Sequence, residues 1–120
     1  MMQKDNRMIA FVCTGNTCRS PMAEAIFNDM AEKNGVCVRA ESFGIATSTG
    51  LPVSENSVIA CKEIGIDLSG KASTAVADAG IEKYEKFYCM SQSHAKMLMQ
   101  FFLVQPEKIC LLYTSDAADE

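Results

Sequence analysis

The run FVCTGNTCRSPMAEA, Phe11 to Ala25, constrains the fold of this chain more than any other stretch. It follows directly on Met8-Ile9-Ala10, so that MIAFVC forms a short, continuous apolar run rich in β-formers, the pattern of a strand buried on both faces. Gly15 and Asn16 then signal a turn. Ser20 before Pro21 reads as an N-cap serine with proline in the first helical position. From there Met22, Ala25, Ile26 and Met30 keep helical spacing, with Glu24, Asn28, Asp29 and Glu32 on the other face and Gly35 as the stop. A buried strand that passes through a short loop into an amphipathic helix is the first half of a βαβ unit.

The remainder repeats the alternation. Val36–Phe43 reads as a second strand, and Ser54 is placed to cap a helix running to about Ile64, stopped by Gly65. A short helix is expected over Ser73–Ala79, a third strand over Lys86–Met90, a helix capped by Ser91 through about Leu103, and a fourth strand over Lys108–Tyr113. Strands alternating with helices specify an α/β fold: a doubly wound, four-stranded parallel sheet with helices on both faces, a flavodoxin-like three-layer sandwich. The chain shows no repeat and no linker. With 120 residues it suits one domain.

Composition removes several function classes. The net charge of −4 argues against a general nucleic-acid binder, which needs a basic face. No apolar run approaches a membrane span. The stretch after MMQKDNR is too short for a secretory signal, so the expected location is cytoplasmic. There are six cysteines, but Cys37, Cys61, Cys89 and Cys110 lie in or beside apolar segments, as free buried thiols do in a reducing compartment. There is no CxxC pair and His94 is the sole histidine, which disfavours zinc, and no cofactor is expected.

The loop itself carries chemistry. It lies at the carboxyl end of a strand and the positive end of a helix, where open α/β sheets bind ligands. Successive backbone amides over Thr14, Gly15, Asn16, Thr17, Cys18, Arg19 and Ser20 suit an anion nest, and glycine at 15 permits close approach. Cys13 at the base of the nest is favoured as thiolate, the nucleophilic form. Arg19 offers a planar fork matched to two oxygens of a tetrahedral oxyanion. Ser20 is placed to donate to the sulfur. Taken singly, Cys13 is more simply a core residue and Arg19 a surface charge; their conjunction with Ser-Pro between strand and helix points to a site. A nucleotide P-loop is excluded, because Cys18-Arg19-Ser20 stands where that motif needs Gly-Lys-Ser/Thr.

VCTGNTCRSPMAEA resembles the signature of the low-molecular-weight protein tyrosine phosphatases and their arginine-phosphatase and arsenate-reductase relatives. ESFGIAT, GIDLSGKAS and FYCMSQSHAKML are similar, more weakly, to later segments of the family, so the resemblance extends to about Tyr113. It implies attack by Cys13 on phosphorus, a cysteinyl-phosphate intermediate, and Arg19 with the loop amides stabilising the transition state. It also implies loop support from Asn16, Ser20 and Ser42, and a reversible oxidative pairing of Cys13 with Cys18. Thr17 stands where tyrosine-specific members carry an aliphatic residue and resembles the arginine-phosphatase branch. The implied partner is a phosphorylated protein; the oligomeric state is left open.

Two departures from the family pattern are visible. Lys71 replaces a family histidine. The family's general acid comes from an Asp-Pro loop beyond the last strand, and no Asp-Pro occurs in this sequence. We therefore expect a domain over 1–113 that lacks its final helix, followed by a small, acidic tail over 114–120, TSDAADE, of doubtful origin that resembles translated sequencing-adaptor readthrough. Two alternatives to a phosphatase stay open at this point: an arsenate reductase of the same fold, and a phosphate-binding fragment without catalysis.

Overall fold

A computed structural model describes residues 7–111. Four strands, β1 (Arg7–Cys13), β2 (Val38–Gly44), β3 (Lys86–Cys89) and β4 (Ile109–Leu111), form one sheet in the order β2-β1-β3-β4. All three pairings are parallel. Three helices accompany them: α1 (Arg19–Lys33), α2 (Glu55–Glu63) and α3 (Gln92–Phe101). The expected doubly wound α/β sandwich is thus the observed fold. The 114–120 tail and the last two residues expected for the fourth strand, 112 and 113, lie outside the described residues.

β1 alternates its side chains between the two faces of the sheet. Ile9, Phe11 and Cys13 face α1 and pack with Ala40, Met90, Ala23 and Phe27, the Phe11 and Phe27 rings meeting edge to face at 6.1 Å. Ala10 and Val12 face the other way, with Phe43, Phe87, Cys89 and α3 residues Ala95 and Leu98. Burying each larger apolar side chain in these layers contributes about 1.5–3 kcal/mol. α2 stacks on α1 through Val53, Cys61 and Leu68, which meet Met22 and Ala25. Asn28, on the polar side of α1 by periodicity, donates to the carbonyl of Ala40 at 3.0 Å and accepts from its amide at 2.8 Å. It thereby satisfies outward-facing backbone groups of β2, an edge strand that would otherwise need water there.

Several boundaries differ from the sequence expectation. α1 starts at Arg19, with Cys18 in the cap position and no side-chain cap bond, so Ser20 and Pro21 fall within the first turn. Proline is tolerated there because the missing N–H is one the helix leaves unpaired anyway. The helix expected over 73–79 is only a 3₁₀ turn, Val76–Asp78. Residues 72 and 75 are instead recruited into bridges, Ala72 with Pro52 and Ala75 with Gly44. The Ser73 hydroxyl donates to the Ser48 carbonyl at 2.6 Å and accepts from the Leu51 amide at 3.0 Å. α3 ends two residues early because Leu103 takes a positive φ of 58°. The caps expected at Ser54 and Ser91 are present, accepting from the amides of Ser57 and His94.

Candidate active site

The segment between β1 and α1 is built by its carbonyls. Those of Cys13 and Thr14 accept from the amides of Ile45 and Ala46 at 2.9 and 3.0 Å, just beyond β2. That of Thr17 accepts from the Ser54 amide at 2.7 Å, and that of Cys18 from the Met22 amide and the Ser57 hydroxyl, both at 3.4 Å. The chain has no cis peptide bond among the described residues. In a trans peptide the following N–H points opposite to the carbonyl. The amides of Thr14, Gly15, Cys18 and Arg19 are therefore turned away from the segments that hold the loop. Residues Cys13–Arg19 line one pocket of about 150 Å³. These are the residues the sequence offers as an anion nest, and the positive end of α1 lies behind them.

Cys13 sits at its base, 7% exposed. Its Sγ lies 2.8 Å from Ser20 Oγ and accepts from the Asn16 amide at 3.2 Å. Asn16 Nδ2 donates to Ser20 Oγ, which leaves the Ser20 proton free to point at the sulfur. Ser20 performs this task from inside the helix, fully buried, and not as the N-cap. Asn16 adopts a positive φ of 56°, a conformation asparagine tolerates better than most residues. Its side chain donates to Ser20 Oγ at 2.8 Å and accepts from the Thr74 amide at 2.7 Å. One buried asparagine thus ties the nucleophile's partner to a segment 58 residues away.

Arg19 is exposed at the rim and, among the described residues, makes no ion pair, which leaves its guanidinium fork available to an oxyanion. Thr17 is partly buried and Cys18 exposed, both in the pocket lining. Among the described residues no carboxylate lines this pocket. Ser42 stands one layer back, opposite Phe11 in the ladder. Its hydroxyl donates to Glu24 at 2.6 Å, and Glu24 pairs with Lys71 at 2.8 Å. Lys71 thus ties into α1 through Glu24. Ser42 makes its bond to the helix behind the loop, not to the loop itself.

Four further contributors lie outside the candidate site residues of the sequence. Gly44, opposite Cys13 in the ladder, has no room for a side chain: a Cβ would lie 2.9 Å from the Thr14 carbonyl oxygen and 2.5 Å from Thr47 Cγ2. Thr74 and Ser57 hold the loop from distant segments. His94, 5% exposed, places Nε2 2.9 Å from Thr14 Oγ1. Gly44 leaves a sequence signal, a glycine closing a strand, and His94 reads from sequence as a structural or surface residue in the first turn of a capped helix. The others depend on contacts between residues far apart in the chain.

A parallel sheet that sets a buried thiol at the floor of a loop pocket, with an arginine at its rim, has the layout of a cysteine-dependent phosphatase site. The family model of the low molecular weight phosphotyrosine protein phosphatases matches residues 8–120, and the chain belongs to that family. It is 35% identical over 104 residues to the protein-arginine-phosphatase of Bacillus subtilis, covering 87% of this chain and 69% of that relative. It is 32% identical over 118 residues to the low molecular weight phosphotyrosine protein phosphatase of Saccharomyces cerevisiae, covering 92% of this chain and 71% of the relative. Among solved structures, the YwlE arginine phosphatase with a phosphorylated active-site serine superposes with a TM-score of 0.85 at 31% identity, over 93% of this chain and 77% of that one.

Proposed function

We propose that the chain is a protein phosphatase that works through a cysteinyl-phosphate and prefers phosphoarginine to phosphotyrosine. The observation that carries the reaction is the position of Cys13 Sγ, between the Ser20 hydroxyl and the Asn16 amide at the floor of the loop pocket. Sγ bonds to phosphorus as the bond from phosphorus to the substrate side chain breaks. The loop amides and Arg19 take the charge that gathers on the three equatorial oxygens. Water then attacks phosphorus, releasing inorganic phosphate and restoring the thiolate, whose departure the Ser20 hydroxyl eases. The leaving side chain needs a proton. The resemblance implies an acid from an Asp-Pro loop beyond the last strand, and this sequence contains no Asp-Pro.

Thr17 supports the substrate preference. It puts a hydroxyl in the pocket lining, where a guanidinium leaving group finds a polar neighbour and a phenol ring does not gain one it can use. The similarity to a protein-arginine-phosphatase, and to an arginine phosphatase seen with a phosphorylated serine in its active site, agrees with this reading. An arsenate reductase gains less support, because Cys89 and Cys110 stand on adjacent strands and Cys89 is fully buried. We place the protein in the cytoplasm, acting on phosphorylated proteins; among the described residues no helix is long and apolar enough to cross a membrane.

Two measurements test the proposal. A chromogenic aryl phosphate should give a burst of phenolate that is absent in Cys13→Ser; a wild-type chain with no burst overturns the phosphatase reading. Rates on matched phosphoarginine and phosphotyrosine peptides should favour the former, and Thr17→Ile should shift the ratio toward phosphotyrosine. A wild-type preference for phosphotyrosine overturns the substrate assignment.

A further inference from the structure

The sheet order puts β1 next to β3, and the chain leaves these two strands toward opposite faces, into α1 and into α3. Their carboxyl ends therefore open a crevice at the switch point of the fold. The loop after β1 fills one side of it. The other side is the first turn of α3, whose third residue is His94. Thr14 and His94 are 80 residues apart in sequence and meet across this crevice at 2.9 Å, Oγ1 to Nε2. Thr14 is exposed in the pocket lining, whereas His94 is buried, with its backbone amide bound to the capping Ser91 hydroxyl.

A threonine hydroxyl has one proton to give. If it points that proton at the imidazole, Oγ1 offers only lone pairs to a bound oxyanion, which repels it. If the imidazole donates from Nε2 instead, the hydroxyl proton is free to point at the anion. An oxyanion in the pocket therefore selects the second arrangement. We infer that His94 is a positioning residue that, by donating to Thr14 Oγ1, turns the Thr14 hydroxyl into an additional donor to the bound phosphoryl group. This inference rests on the phosphatase reading of the loop. It assigns to α3, and to β3 that carries it, a part in substrate binding that the loop alone does not supply.

The test is a set of isosteric changes read by two assays: binding of inorganic phosphate and kcat/KM on an aryl phosphate, with Tm recorded for each variant. Thr14→Val and His94→Leu should each weaken phosphate binding by about 10- to 100-fold, the range for one hydrogen bond to a charged group. Thr14→Ser, which keeps the hydroxyl, and His94→Gln, which keeps a donor, should retain most of the affinity. The double variant Thr14→Val/His94→Leu should be no weaker than either single one, because the two residues act through one bond. Losses that multiply, or a His94→Leu variant that folds and binds phosphate normally, overturn the inference. If His94→Leu does not fold, His94→Gln decides: loss of phosphate affinity at an unchanged Tm overturns it. A wild-type chain that binds no phosphate overturns the underlying phosphatase reading and this inference with it, whereas normal wild-type binding with unaffected variants overturns the inference alone.

Discussion

Cys13 and Cys89 end neighbouring strands, and Val12 stands opposite Cys89 in the ladder, so the two thiols lie one residue apart in register. Both are buried, at 7% and 0% exposure. Their surroundings differ because the pleat sends them to opposite faces. Cys13 turns toward α1 and meets the Ser20 hydroxyl and the Asn16 amide. Cys89 turns toward α3 and lies among Val12, Phe87, Ala95 and Leu98. Burial, with a smaller effect from Cys110, pushes its thiol up to about 12. The same residue type, at nearly the same height in the sheet, meets a hydroxyl and an amide on one side and apolar packing on the other. Burial is common to both cysteines; the groups that meet the sulfur are what differ.

Exchanging the two thiols is the strongest way to break this contrast. Cys13→Ser should lower turnover by about 10³-fold or more, since the nucleophile is lost, with little change in Tm. Cys89→Ala should leave steady-state rates within about twofold and cost about 1–2 kcal/mol in a denaturant titration, as a buried small side chain does. Activity that depends on Cys89 would erase the distinction.

The donors come next. Asn16→Ala removes two buried hydrogen bonds and leaves alanine at a positive φ. Stability should fall by about 3–4 kcal/mol, from roughly 1 kcal/mol for each bond and of order 1–2 kcal/mol of backbone strain. The rate should fall with it, because the Asn16 amide no longer stays aimed at Sγ. Gly44→Ala forces β2 away from the loop and should cost about 1–3 kcal/mol, with KM rising as the cradle widens. A Gly44→Ala protein with native stability and KM would show that the loop does not lean on β2.

The smallest expected effect is a pH dependence that belongs to the inert side. The folded state keeps the Cys89 proton well above the ordinary value of 9.0, to about 12. The unfolded chain loses it first. The stabilisation is thus complete below pH 9.0 and declines as pH rises toward 12, by at most about 1.4 kcal/mol per pH unit. Tyr84 adds to the decline above pH 10.0, since burial and its hydrogen bond to Glu41 also raise its phenol. Denaturation midpoints measured at increasing pH should drop less steeply in Cys89→Ala. An unchanged slope would mean that Cys89 titrates normally in the folded protein.

Much of the fold was legible because each strand and helix announces itself locally. MIAFVC, the Ser54 and Ser91 caps and the Gly65 stop each depend on residues a few positions apart. The errors fell where distant partners override local preference. Ser73 looked like a helix start, but its hydroxyl is taken by Ser48 and Leu51, and its neighbours bridge to Pro52 and Gly44. Ser20 looked like a cap because Ser-Pro usually is one. Here α1 begins earlier, and the hydroxyl turns to Cys13. Ser42, which the resemblance gives as loop support, binds Glu24 on the helix that follows the loop.

The amino-acid sequence by itself determined the chemistry of the cradle: a cysteine at a strand end, small residues that permit a tight turn, an arginine and a helix start, all within eight residues. Those relations are local, and local spacing is what a chain encodes directly. Only the tertiary structure decided what holds the cradle open. Its carbonyls are drawn outward by Ile45, Ala46, Ser54 and Ser57, its asparagine is anchored by Thr74, and its first threonine meets His94. Each of those partners arrives from a segment 32 to 80 residues away, because the parallel sheet gathers the carboxyl ends of its strands, and the loops that follow them, at one edge.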